Sequence, residues 1–232
     1  MRIAALFSGG KDSTFALYKA LQEGHEAVCL ISLKPARSDS WMFHTPNLHL
    51  VELQAEALGL PLVVQATSGV KEEELDDLRL ALQKAKGAYK IEGVVAGAVA
   101  SEYQYQRVGR ICGELGLKVV APMWKREQEE LLREMIDAGF DIIIQNIAAE
   151  GLSESWLGRR LDASSLKDLL ALQKKTGLNP IGEGGEYDSL ALDGPIFKKR
   201  IVIEETEKKM EKANCGMLMV KKAKLEDKPS SP

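Results

Sequence analysis

Cysteine is scarce in this sequence. Cys29, Cys112 and Cys215 are the only three in 232 residues. They are odd in number, lie far apart and form no CxxC pair, so neither a zinc site nor a local redox pair is signalled. Cys29 and Cys112 fall in apolar patterns and are expected to be packed thiols. Histidine is equally sparse, and His25, His44 and His49 lack the spacing of metal ligands. No apolar run reaches the length of a membrane span, and no leader is expected ahead of the first apolar stretch. A reducing, cytoplasmic setting and no membrane partner are therefore expected. The net charge of -3 gives no bulk basic field, so no nucleic-acid partner is expected. Two familiar nucleotide signatures are missing. There is no GxGxxG, and Lys11 is followed by Asp12 rather than the Ser or Thr of a GxxxxGK loop.

What is there is a chain long enough for one large or two small domains with a real core. Ile3-Ala4-Ala5-Leu6-Phe7 reads as a buried strand, and Thr14 to Leu21 carries helical spacing that ends at Gly24. Between them lies Ser8-Gly9-Gly10-Lys11-Asp12-Ser13. Glycines at a strand-to-helix turn let the backbone approach a ligand. The helix start offers N–H groups and partial positive charge to an anion. Ser8 and Ser13 add hydroxyl donors and Lys11 a mobile cation. The chemistry is that of a phosphate cradle. The hexapeptide SGGKDS after the first strand resembles the loop of the PP-loop, or N-type, ATP pyrophosphatases. That resemblance implies ATP, with its β,γ-phosphates in the loop and AMP transferred to a substrate oxygen.

Further apolar runs follow at Ala27–Ile31, Leu62–Val64, Val94–Ala98, Val119–Ala121 and Ile142–Ile144. Amphipathic helical stretches separate them, one capped by Asn47 and closed by Gly59. This alternation predicts an α/β fold with a doubly wound parallel sheet, closed by Ile142–Ile144. Right-handed crossovers put helices on both faces, and ligands sit past the carboxyl ends of the strands. The pattern changes afterwards. A PP-loop domain is expected over 1–148 and a smaller α+β substrate domain over 149–225, with a helix starting at Ser165 and Asp168. A disordered polar tail is expected over 226–232. The segment 34–46 holds Trp41, Met42 and Phe43, and reads either as a loop tucked on the core or as a ligand-site flap.

Two more constellations carry chemistry. In Gly97-Ala98-Val99-Ala100-Ser101-Glu102-Tyr103-Gln104-Tyr105-Gln106-Arg107, small residues leave room for a flat ring or ribose. Ser101, Gln104 and Arg107 recur on one side of a helix. This is either a site, with Arg107 neutralising an α-phosphate, or a solvent-facing stripe. In Gly182-Glu183-Gly184-Gly185-Glu186-Tyr187-Asp188, three acids flank an aromatic ring. That is either a cage for a methylated ammonium or a glycine turn with incidental acids.

SGGKDS, DSWMFHTPN (Asp39 to Asn47), GAVASEYQYQR, Pro122-Met123-Trp124 and GEGGEYD occur in this order. The combination resembles the diphthine–ammonia ligase family over residues 1 to about 205. In that family the last motif usually ends in Glu or a similar residue followed by Thr, where this chain has Asp188-Ser189. The chain resembles the short archaeal form, without the long extension of eukaryotic relatives. The resemblance implies a ligase that uses ATP and Mg²⁺. It would adenylate the carboxylate of diphthine on elongation factor 2, and ammonium would displace AMP. Ser8, Gly9, Gly10, Lys11, Asp12 and Ser13 are expected to hold the phosphates, with Asp12 holding Mg²⁺ or orienting Lys11. Gly97, Ser101, Gln104 and Arg107 are expected on the nucleotide. His44, Tyr103, Glu183, Gly184, Gly185, Glu186 and Tyr187 are expected on the substrate. Lys11, Asp12, Arg107 and Glu186 are the catalytic candidates, Glu186 as the base for ammonium. A tRNA-modifying PP-loop ligase and a non-catalytic ATP-binding regulator are the alternatives, and a homodimer is left open.

Overall fold

The structure is a computed structural model that describes residues 1–35, 49–67, 73–100 and 102–228. Asn47, the 36–48 part of the aromatic loop, His44 and Ser101 lie outside the described residues. By their contacts the residues fall into two compact units. One comprises Met1–Ser8 with Asp12–Trp124, the other Gly9–Lys11 with Lys125–Pro232.

The first unit is built from β1 (Arg2–Leu6), α1 (Lys11–Gln22), β2 (Glu26–Pro35), α2 (His49–Leu58), β3 (Leu62–Thr67), α3 (Glu73–Tyr89), β4 (Gly93–Val95), α4 (Glu102–Glu114) and β5 (Lys118–Val120). The five strands pair in parallel in the order β3-β2-β1-β4-β5. Strand residues alternate between faces. On one face Ala4, Cys29, Ile31 and Val94 form a core with Leu78, Leu82 and Ala85 of α3 and Ile111 and Cys112 of α4. Ile3, Ala5, Leu30 and Val95, at the alternate positions, are equally buried. Burial on both sides is what a parallel sheet between two helical layers requires. The expected doubly wound sheet is present, and no helix among the described residues is long and apolar enough to cross a membrane.

The second unit holds α5 (Gln128–Asp137), β6 (Asp141–Ala148), α6 (Ala163–Thr176), β7 (Tyr187–Asp193), β8 (Lys199–Lys212) and β9 (Cys215–Asp227). Its sheet runs β7-β6-β9-β8 and every pairing is antiparallel. Three expectations change here. Ile142–Ile144 does not close the parallel series, because β6 pairs with β7 and β9 instead. The division between units accordingly falls at Trp124 and Lys125, not near residue 149. Glu226 and Asp227, expected in a loose tail, lie in β9, where they pair with Arg200 and Lys199 of β8.

Helix α6 also starts earlier than its apolar stripe suggests. Asp162 is the N-cap, its carboxylate accepting the N–H of Ser165, whose hydroxyl in turn accepts the N–H of Asp162. This reciprocal pair satisfies two orphan donors of the first turn. Gly177 closes the helix in the left-handed region, as expected of a C-terminal glycine.

Candidate functional site

The SGGKDS turn begins where β1 stops. The Ser8 N–H donates to Ser13 Oγ at 3.3 Å, and the two serine hydroxyls lie 3.2 Å apart. Gly9 sits at φ 81°, a region L side chains rarely adopt, so the turn requires glycine there. Helix α1 starts at Lys11 with Asp12 in its first turn. Lys11, Ser13 and Thr14 are buried. The tip Gly9–Lys11 is seated on β7. The Ala191 N–H donates to Gly9 O at 3.0 Å, and the Lys11 N–H donates to Ser189 Oγ at 3.0 Å. The Lys11 ammonium lies 5.3 Å from the centroid of the Tyr187 ring.

Gly97 sits close to the start of α1. A Cβ on Gly97 would lie 2.9 Å from the backbone of Asp12 and of Ser13. The space expected for a ring or ribose on that side is filled by protein backbone, and the glycine lets α1 start there. Arg107 lies in a cleft of about 320 Å³ with Leu75, Asp76, Arg79, Arg110 and Ile111. Arg79 and Arg110 both reach Glu114, at 2.7 and 3.1 Å. Their hydrogen bonds, that of Arg79 foremost, hold the Glu114 carboxyl below its usual range. Tyr103 and Gln104 belong to α4, but their side chains lie outside what the structure describes.

The acidic loop turns on Gly182 and Gly185, both at positive φ. Within it the Gly185 N–H donates to Gly182 O at 3.1 Å. The Glu186 carboxylate faces the loop's own backbone. Oε1 accepts the Asn179 N–H at 3.0 Å and Oε2 the Gly184 N–H at 2.8 Å. Tyr187 is buried, its hydroxyl donating to Pro180 O at 2.8 Å. Asp188 points to the opposite side of β7, as strand alternation demands, and accepts Asn146 Nδ2 at 3.1 Å. Glu183 is half-buried. The three acids and Tyr187 therefore do not close into one cage. The Tyr187 ring serves Lys11, and Glu186 braces the turn. Among the described residues no three of His, Cys, Asp and Glu gather as metal ligands.

Two features have no role legible in the sequence alone. Ser189 is buried and meets the Lys11 N–H, and its position two residues after Tyr187 on one strand was the available signal. Tyr105, in GAVASEYQYQR, and Trp124, after Pro122-Met123, stack with centroids 4.3 Å apart and planes 13° from parallel. A cavity of about 480 Å³ in the second unit lies among Ile143, Leu157, Ile201 and Leu218, with the Arg160–Asp141 ion pair in its lining; none of the motif residues lines it.

A parallel α/β sheet whose first strand-to-helix turn carries SGGKDS defines a protein of the PP-loop class. The chain belongs to the diphthamide synthase family. Residues 1–119 match the diphthamide synthase N-terminal domain and residues 127–225 the C-terminal domain. A mouse protein named diphthine–ammonia ligase is 39% identical, with 100% of this chain and 95% of the relative covered. The human protein of that name is 37% identical over the same shares. The fission yeast Schizosaccharomyces pombe protein of that name is 38% identical over 99% of this chain and 40% of its own length. The expected contrast with longer eukaryotic relatives thus holds for fission yeast but not for mouse or human. A solved structure titled as a predicted subunit of tRNA methyltransferase from Methanocaldococcus jannaschii has a TM-score of 0.43 at 17% identity, covering 78% of this chain and 90% of that one.

Proposed function

We propose that this chain is an ATP-dependent ligase that converts the carboxylate of diphthine on elongation factor 2 to the amide, with ammonium as nitrogen source. The observation that carries this is the seating of the SGGKDS tip on β7, the strand that runs directly out of the GEGGEYD loop. One strand thereby serves the loop suited to phosphates and the loop suited to the acceptor. The names of the relatives supply the substrate and the nitrogen donor.

In this scheme a carboxylate oxygen of diphthine attacks the α-phosphorus of ATP and pyrophosphate leaves. Ammonia then attacks the acyl carbon and AMP leaves with the bridging oxygen. The ammonium must first lose a proton. Ser8, Gly9, Gly10, Lys11 and Ser13 bind the β,γ-phosphates through N–H, hydroxyl and ammonium groups. Gly97, Ser101, Gln104 and Arg107 border the nucleotide, Gly97 by admitting the start of α1. Asp12 is the acidic residue in the first turn of α1. It fits a Mg²⁺ ion held chiefly by phosphate oxygens, since Mg²⁺ commonly takes one or two carboxylates plus substrate phosphates. When bound, that ion neutralises phosphate charge. Glu183, Gly184, Gly185 and Tyr187 border the acceptor together with His44 and Tyr103. Glu186 braces that loop, each oxygen accepting one backbone N–H, and its remaining lone pairs keep it the candidate base for ammonium. Catalysis then rests on positioning and charge neutralisation.

The test is ATP turnover with ammonium and elongation factor 2, either unmodified or bearing diphthine. AMP and pyrophosphate formed only with the diphthine form support the ligase. Stimulation by tRNA instead favours a tRNA-modifying enzyme, ATP binding without turnover favours a regulator, and ADP as product excludes adenylation.

A further inference from the structure

β7 is an edge strand of the antiparallel sheet, and the segment Gly9–Lys11 occupies part of its free edge. Two backbone-directed bonds define the seat: Ala191 N–H to Gly9 O and Lys11 N–H to Ser189 Oγ, both 3.0 Å. The Lys11 N–H belongs to the first turn of α1, where no intrahelical acceptor exists. A hydroxyl from a distant strand supplies one. Ser189 is itself held. It is buried, and its carbonyl accepts Gln145 Nε2 from the neighbouring strand β6 at 3.2 Å. Tyr187, Ser189 and Ala191 alternate along β7, and all three meet the loop tip. The ring faces the Lys11 ammonium, the hydroxyl its N–H, and the Ala191 N–H the Gly9 carbonyl.

We infer that Ser189 is a positioning residue for Lys11. Its hydroxyl fixes the backbone from which the Lys11 ammonium is aimed, so nucleotide affinity depends on a side chain that need not touch the nucleotide. This rests on SGGKDS being the nucleotide loop proposed above. The chemistry needed at position 189 is a hydroxyl acceptor on a short side chain. Threonine supplies it, whereas valine has nearly the same shape and lacks it.

The experiment compares Ser189→Thr with Ser189→Val in the full chain. Without nucleotide, the Lys11 amide should be protected from hydrogen exchange in the parent and the threonine variant and exchange faster in the valine variant. With ATP as probe, titration calorimetry should give the threonine variant a Kd within about twofold of the parent. The valine variant should be weakened roughly tenfold, as losing the partner of one buried donor implies. Equal Kd values for the two variants, or equal protection of the Lys11 amide, overturn the role of Ser189. Failure of the parent chain itself to bind ATP overturns the nucleotide loop, and with it the purpose assigned to Ser189.

Discussion

The Lys11 ammonium lies over the ring of Tyr187, 5.3 Å from its centroid, and the Tyr187 hydroxyl is anchored on Pro180 O. The ring is thus held in place while it faces the cation. Tyr187→Phe keeps the π face and leaves a buried carbonyl without this donor. Its stability should fall by about 1 kcal/mol while ATP affinity stays within about twofold. Tyr187→Leu removes the face and should weaken ATP roughly three- to tenfold, the scale of a cation–π contact. Lys11→Ala should weaken it further still. Calorimetric titration with ATP, beside urea unfolding, separates these effects. Parent-like affinity in Tyr187→Leu would detach Lys11 from the ring.

Glu186 accepts one N–H on each carboxylate oxygen, so Glu186→Ala leaves two backbone donors of the loop without their partner. Each charge-assisted bond of this kind contributes about 1.5–3 kcal/mol, so a loss of amide formation of at least tenfold is expected. ATP affinity should change less than about twofold. Glu186→Gln should also be impaired, because its NH₂ group would oppose one of the two N–H donors. Quantifying diphthamide by mass spectrometry checks this. Unimpaired amidation in both variants would remove the loop from the acceptor site.

Gly97→Ala would set a Cβ 2.9 Å from the backbone of Asp12 and of Ser13. Backbone cannot swing aside as a flexible side chain does, so either α1 or β4 must shift. A destabilisation of about 1–3 kcal/mol is expected from such overpacking, with weaker ATP binding alongside it. Urea unfolding and an ATP titration on the same preparation test the two together. An alanine variant with parent-like stability and affinity would show that the contact relaxes freely.

Asp162 gives a pH-dependent cap. The Ser165 N–H, the largest cause, holds its carboxyl below the usual value. A carboxyl depressed in the folded state stabilises above its unfolded pKa, about 3.9, and loses that contribution as pH falls through the folded value. Asp162→Ala should therefore cost about 1 kcal/mol at neutral pH, the usual scale of an N-cap. The gap between variant and parent should hold from pH 8 to pH 5 and narrow below about pH 4. A gap that widened on acidification would exclude the ionised cap as its source.

Much of the first unit follows from short-range pattern. Ile3–Leu6, SGGKDS and the stripe of α1 are consecutive, and the chemistry of a glycine turn entering a helix needs no distant partner. The packed state of Cys29 and Cys112 was likewise legible from their apolar neighbours. Burial now pushes both thiols up to about 11. Ile142-Ile143-Ile144 shows the limit. An apolar triplet states that a strand is buried, but not which strand it pairs with, and β6 joined the antiparallel sheet.

The sequence by itself determined the SGGKDS turn, the parallel sheet and the family, because each is written in contiguous residues or in the order of motifs. Only the tertiary structure decided what the second half does with them. It turned Glu186 onto its own loop, sent Asp188 and Tyr187 to opposite sides of β7, and brought Ser189 to the N–H of Lys11 across 178 positions of chain. The physical reason is that hydrogen-bond partners at such separation are chosen by how strands pair and face, and no local periodicity encodes that choice.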